Sequence, residues 1–235
     1  MEIIYLNHSS FLIKTKLQGN KIIKILLDPF SKEIGPDFKS TEADIVLISH
    51  DHPDHNNLAG VKGLDLNTVG DESLGSKGLG PYIITKAGQY EVGGIHIKGI
   101  SSYHDNKKGE ERGKNIIYTI FSEGYRVCFL GDLGHNLTDN QVEAIGDINT
   151  LLIPVGGIYT IDPETASEVI GQIEPSFAIP MHYKTSSHKE ELTLKPLEEF
   201  TKQMGESDLK TKDSFEPHES LSDETEIIVL KPTYS

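Results

Sequence analysis

Ile45-Val46-Leu47-Ile48-Ser49-His50-Asp51-His52-Pro53-Asp54-His55 is the stretch on which the fold turns. Its first half is a continuous apolar, largely β-branched run, the pattern of a strand buried on both faces. Its second half, from His50 to His55, sets three imidazoles and the carboxylate of Asp54 within six positions at that strand's end. Alternate residues of an extended chain point the same way, so His50 and His52 can grip one ion. Asp54 and His55, beyond the turn at Pro53, can reach a second ion beside it. Neutral imidazole with carboxylate suits zinc, and manganese or iron less exclusively. A loop that happens to be rich in histidine is the competing reading, and the position at a strand's end weighs against it.

Outward from this stretch, short apolar runs predict strands over 3–6, 11–15, 21–27, 45–49, 82–85, 95–100, 116–121, 126–130, 150–155, 177–181 and 226–230. Helical patterns are fewer and later. One begins at Thr138-Asp139, and one opens at Asp162-Pro163-Glu164 with a capping acid and a proline at its first position. A third covers 195–204. Strands and helices without regular βαβ alternation predict an α/β protein of packed sheets flanked by helices. Residues 70–81, with four glycines, and the polar segment 205–225 read as loops. The first of these is a weak candidate for a lid. Candidate ligands fall on both sides of it, so a single domain over residues 1–235 is expected.

Composition narrows the function classes. A net charge of −14 disfavours contact with phosphate backbones, and Lys107-Lys108 or Lys184 with Lys189 are too sparse to offset it. Nucleic acid is therefore not an expected partner; a small-molecule substrate is, and a homo-oligomer is compatible with the chain. No stretch reads as a signal peptide or a membrane span. Cys128 is the single cysteine, which leaves no disulfide framework and reads as a core residue. The expected setting is cytoplasmic.

Three further residues stand where apolar runs end. His104 follows the run through Ile100, Asp132 lies in Phe129-Leu130-Gly131-Asp132-Leu133-Gly134-His135, and His182 follows Ile179-Pro180-Met181. Polar groups on one rim of the sheets describe a preformed metal cleft. With these residues the chain resembles the metallo-β-lactamase superfamily of hydrolases. Asn7-His8-Ser9-Ser10-Phe11, Ser102-Tyr103-His104-Asp105 and Arg112-Gly113-Lys114-Asn115 are similar, more narrowly, to poorly characterised metal-dependent hydrolases related to L-ascorbate-6-phosphate lactonase.

That resemblance covers about residues 1–185 and implies a four-layer αββα sandwich. It implies His50, His52 and His104 on one metal, Asp54, His55 and His182 on a second, and Asp132 bridging both. The cofactors implied are two divalent ions, Zn2+ first, with Mn2+, Fe2+ and Ni2+ as alternatives. Two ions about 3.5–4 Å apart can share a water and lower its pKa towards neutrality. The implied reaction is attack of a bridging hydroxide, oriented by Asp54 as the catalytic residue, on an ester, lactone or phosphoester of a small metabolite. A phosphodiesterase of the same superfamily is the alternative enzyme, and a scaffold or sensor that keeps its metals without turnover is the non-enzymatic one.

Lesser candidates remain open. His8, in a turn, is a candidate to bind substrate or brace a ligand, against an ordinary turn histidine. His135 is a similar candidate. Arg112 and Asn115 could reach an anionic substrate over the metals, since Arg grips carboxylate or phosphate in bidentate fashion. A surface pairing of Arg112 with Glu110 or Glu111 competes with that reading. His96, His188 and His218 are expected at the surface, and residues 156–160 are expected to turn the chain ahead of the helix at Asp162, with a place in the cleft lining as the alternative.

Overall fold

The computed structural model describes residues 1–17, 19–62, 80–206, 209–222 and 224–234. Strands β1 (Glu2–Asn7) and β2 (Ser10–Lys16) form a hairpin that β3 (Ile22–Leu27) extends. A two-stranded ribbon pairs β4 (Thr41–Glu42) with β6 (Val61–Lys62). The run that opened the sequence analysis supplies β5 (Ile45–Leu47), parallel to β3, and β7 (Tyr82–Ile84) lies parallel to β5. The first sheet is therefore ordered β1-β2-β3-β5-β7.

The second sheet holds β8 (Gly88–Val92), β9 (Ile95–Tyr103), β10 (Lys114–Ser122) and β11 (Tyr125–Phe129) as an antiparallel meander. It continues in parallel through β12 (Thr150–Pro154), β13 (Phe177–Met181) and β14 (Glu226–Ile227). Between β11 and β12 runs α1 (Asp139–Ile145), opened by a reciprocal cap between Thr138 and Gln141. Between β12 and β13 runs α2 (Pro163–Ile173), and α3 (Leu197–Gln203) follows.

Side-chain alternation explains how the layers stack. Ile25, Leu27, Ile45 and Leu47 turn inward to join Ile117, Ile120, Cys128 and Leu151 of the other sheet in one core. Leu26, Val46 and Ile48 point the opposite way, into a second cluster with Phe30, Ile34 and Leu58. Both faces of β3 and β5 are thus buried, which is why their sequences are continuously apolar. Each such side chain contributes roughly 1.5–3 kcal/mol on leaving water. Ala166, Val169 and Ile170 of α2 and Phe200 of α3 join the main core, giving the α/β sandwich expected. Burial pushes the Cys128 thiol well above its ordinary pKa, consistent with an inert core residue.

Several details differ from the sequence reading. Strand β8 was not expected: Gly88-Gln89-Tyr90-Glu91-Val92 is polar, as suits the edge strand it forms beside β9. The third helix starts at Leu197, because Pro196 takes an extended backbone at φ −72° and ψ 158°. Residues 70–79 of the glycine-rich segment lie outside the described residues, as do 207–208 and 223 of the polar one. No described helix is long and apolar enough to cross a membrane.

Strand direction creates the site. In the first sheet β1, β3 and β5 run one way, and in the second β9, β11, β12 and β13 share a direction. His8, Asp28, His50, His104, Asp132 and His182 all stand just past the carboxyl ends of these strands.

Candidate metal centre

Asp132 is the hub. It is 2 % exposed, and its Oδ2 lies 3.2 Å from His55 Nε2, 3.3 Å from His104 Nε2, 3.3 Å from His182 Nε2 and 3.9 Å from His50 Nε2. Its other oxygen accepts a hydrogen bond from Ser9 Oγ at 3.1 Å, and its backbone N–H donates to Asn115 Oδ1 at 3.0 Å. Gly131 before it, at φ +56°, has no room for a side chain: a Cβ there would lie 2.5 Å from Asn115 Oδ1. The turn that aims Asp132 therefore needs glycine at this point.

Candidate ligands form three overlapping groups around this hub, of which Asp28, His50 and His55 link the other two. His50, His52 and His104 bring their ring nitrogens within 4.8 Å of one another, and so do His8, His55 and His182. Asp54 adjoins the second group, with its Oδ2 3.6 Å from His55 Nε2 and 3.3 Å from His8 Nε2. His8 is thus no ordinary turn histidine: it is wholly buried, and its ring lies tilted against that of His182 with 4.2 Å between centres. Its backbone carbonyl accepts from His182 N at 2.8 Å and from Tyr5 O–H at 2.9 Å. His8, Asp28 and His182 all hold left-handed backbones, at φ 55°, 37° and 54°. Strain of this kind costs on the order of 1–3 kcal/mol per residue and concentrates at functional sites.

Asp28 organises one imidazole in each of the two histidine groups. It is fully buried, and its Oδ2 lies 3.0 Å from His55 Nδ1. It also accepts from Ser49 N at 2.7 Å and from the Ser49 hydroxyl. A hydroxyl has one proton to give, and Ser49 gives it to Asp28. Ser49 Oγ, 2.8 Å from His50 Nδ1, therefore accepts the Nδ1–H of His50. Both His50 and His55 are left with Nε2 turned into the site, and both Nε2 atoms are buried without a hydrogen-bond partner. Two orphaned ring nitrogens beside a shared carboxylate fit a metal cation. The mixed imidazole and carboxylate donor set suits zinc and other borderline divalent metals.

Electrostatics divide these imidazoles into two kinds. Burial, followed by the charge of His55, pushes His50 well below its ordinary pKa; burial likewise lowers His104 to about 4. Burial and then His182 lower His8 to about 3. These imidazoles are neutral near pH 7, as ligands must be. His55 goes the other way, because Asp132, Asp28 and Asp54 overcome its burial and favour positive charge there. Burial alone would raise Asp54 and Asp132; the surrounding histidines hold both well below the ordinary carboxylate range.

Other sequence candidates fall differently. Arg112 reaches the cleft of about 170 Å³ over the site, with its guanidinium 5.8 Å from the Tyr159 ring centre. Asn115 does not present its amide there: Nδ2 donates to Ser102 Oγ at 2.7 Å and Leu130 O at 2.8 Å, and Oδ1 receives Asp132 N. Through that last bond it positions Asp132. His135 is not among the residues lining the cleft, and its Nε2 accepts from Tyr103 N at 3.3 Å. His96 and His218 are exposed, as expected. His188 is not: it is 6 % exposed, 5.5 Å from the His8 ring, and lowered to about 4 chiefly by burial. The chain folds its loop inward, where Gly35 leaves room for the backbone of 187–189. Sequence reasoning also missed Asp28 and Ser9, and it ranked second the cleft-lining role of the loop that carries Tyr159. An acid directly after the apolar run ending Leu26-Leu27 was the available signal for Asp28.

Comparison with known proteins places this geometry. The family described as the beta-lactamase superfamily domain matches residues 2–182. A UPF0173 metal-dependent hydrolase of Thermoplasma acidophilum is 28% identical over 198 residues, covering 79% of this chain and 84% of its own. Another from Thermococcus onnurineus is 27% identical over 245 residues, covering 99% and 97%. A solved structure from Thermotoga maritima, described as a candidate zinc-dependent hydrolase of the metallo-beta-lactamase superfamily, shares 34% identity at a TM-score of 0.72 over 97% of each chain. On this match, and on the fold it shares, the chain belongs to the metallo-β-lactamase superfamily as one of its metal-dependent hydrolases.

Proposed function

We propose that the chain is a dinuclear enzyme that hydrolyses an ester, lactone or phosphoester of a small metabolite. The observation that carries this reading is Asp132 Oδ2, set among four imidazole Nε2 atoms drawn from two separate ligand groups. His50, His52 and His104 would hold one ion, Asp54, His55 and His182 the other, and Asp132 would touch both. Bound there, a metal pair supplies Lewis acidity that lowers the pKa of water and polarises a substrate oxygen. Zinc is the metal the donor set favours, with manganese, iron and nickel as alternatives.

The chain's own residues do the rest. Asp54, 31 % exposed at its side chain, faces the open cleft and is steadied by His8, so it orients the attacking water. Asp28 keeps Nε2 of His50 and of His55 directed inward. Burial of Asp132, His55 and His182 keeps bulk water from screening the charges that stabilise a developing oxyanion.

The test combines metal analysis with a substrate panel. Purified protein should hold two ions per chain by elemental analysis. Lactones, carboxyl esters, phosphomonoesters and phosphodiesters would be offered to zinc- and manganese-loaded protein, with a chelated sample as blank. Turnover confined to one class and abolished by chelation supports the proposal. Two bound metals with silence across the panel would favour a non-catalytic role, and no bound metal would overturn the ligand assignment.

A further inference from the structure

A second and larger cavity adjoins the metal cleft. The groove holds about 700 Å³, within the usual range for a small-molecule site. His52 and Arg112 line both it and the smaller cleft over Asp132, so the two spaces meet at these residues. Beyond that junction its walls carry Lys86 and Lys114. Arg112 and Lys114 thus bring positive charge to one groove in a chain whose net charge is −14. Among the described residues of the lining, the opposing carboxylate is Asp51, which accepts a hydrogen bond from Asn56 Nδ2 at 2.6 Å.

Arg112 is held for this position by a built loop. The Asp105 carboxylate accepts four backbone N–H groups, from Lys107, Gly109, Glu111 and Arg112, at 2.8 to 3.0 Å. The backbone of Arg112 is therefore anchored while its side chain, 35 % exposed, extends over the Tyr159 ring. Among the described residues, the carboxylate within 4.0 Å of the guanidinium is that of Glu111, at 3.9 Å, and Glu111 gives its other oxygen to Lys107 at 2.6 Å. Most of the guanidinium's donor fork is left for a ligand, and that fork matches carboxylate or phosphate.

We propose that the substrate is an anion: a carboxylate- or phosphate-bearing ester or lactone whose charged group lies against Arg112 at the junction, and whose body extends into the groove towards Lys114. This rests on reading the smaller cleft as the hydrolytic centre. The reacting bond sits over Asp132 while Arg112 selects for charge beside it. Neutral analogues lose this contact and leave the guanidinium without an anion.

Calorimetric titration of the zinc-loaded full chain tests the subsite independently of turnover. The probes are glycerol 3-phosphate, glycerate and, as neutral control, glycerol. The wild type should bind one or both anions and not glycerol. Arg112→Gln should weaken anion binding by about 10-fold or more, the loss expected for one charge-assisted contact. Zinc content should stay at the wild-type value, because Arg112 lies outside both ligand groups. The anion that loses more on this substitution identifies phosphate or carboxylate as the preferred group. A Lys114→Gln variant should flatten the dependence of binding on salt. Anion binding unchanged in Arg112→Gln overturns the proposal, and so does a wild type that binds neither anion. Turnover of γ-butyrolactone and its ring-carboxylated analogue, run in parallel, separates the two readings. Hydrolysis without Arg112-dependent anion binding sinks the subsite alone. Anion binding without hydrolysis of either lactone supports the subsite and counts against the hydrolytic reading.

Discussion

The Asp28 carboxylate stands 3.0 Å from His55 Nδ1, with both side chains at 0 % exposure. Asp28 comes from the end of β3 and His55 from the turn after β5, so the contact ties two neighbouring strand ends together. Through Ser49 the same carboxylate governs His50. One buried acid therefore directs a nitrogen of each proposed metal site.

Asp28→Asn should weaken metal binding by about 10- to 100-fold, the usual cost of removing an acid that orients a ligand histidine. Competition against a chelator of known affinity measures this directly. Wild-type affinity in the variant would show that Asp28 serves the fold alone.

Asp54→Asn should abolish turnover of any substrate found while leaving the folded state in place. Asp54 lies at the open side of the cleft, and its loss creates no cavity in the core. Circular dichroism would check the fold, and steady-state rates the activity. Turnover at the wild-type rate would remove Asp54 from its assigned role.

Gly156→Ala should disturb the centre without touching a ligand. A Cβ at Gly156 would stand 1.9 Å from the His182 carbonyl oxygen, an approach no relaxed side chain tolerates. Movement of the backbone at His182 would follow, with a stability loss of about 1–3 kcal/mol typical of overpacking. Thermal unfolding and metal content should fall together; an unchanged melting temperature would contradict the close approach.

Asp162 offers a pH test away from the metals. It caps α2 by accepting from Thr165 N at 3.0 Å, and that backbone donor is the main reason its carboxyl titrates below the ordinary range. A depressed folded pKa means the stabilisation is present above the unfolded value, roughly 3.9, and fades as pH falls through the folded one. Asp162→Ala should therefore cost about 1 kcal/mol at neutral pH. The gap between wild type and variant should shrink below about pH 4. Denaturant unfolding at pH 7 and pH 3 measures it, and an equal gap at both would mean the charge is not what stabilises the helix start.

What the sequence determined by itself was local. The apolar run 45–48 announces a strand covered on both faces, because alternate residues Ile45 and Leu47 face one core and Val46 and Ile48 the other. The proline at the first turn of α2 and its capping acid mark a helix start whose causes lie within a few residues. The spacing of His50 and His52 likewise follows from strand geometry alone.

Tertiary structure decided everything that depends on chain segments far apart. Asn115 looks in sequence like a free amide near the cleft, yet residues 102, 130 and 132 consume its hydrogen-bonding atoms. His188 sits in a polar stretch, and only the return of that loop past Gly35 buries it beside His8. Asp28 acquires its role from partners 21 and 27 residues away. A side chain's chemistry is written in its own letter, but its burial and its partners are set by which strand ends the sheets bring to one rim.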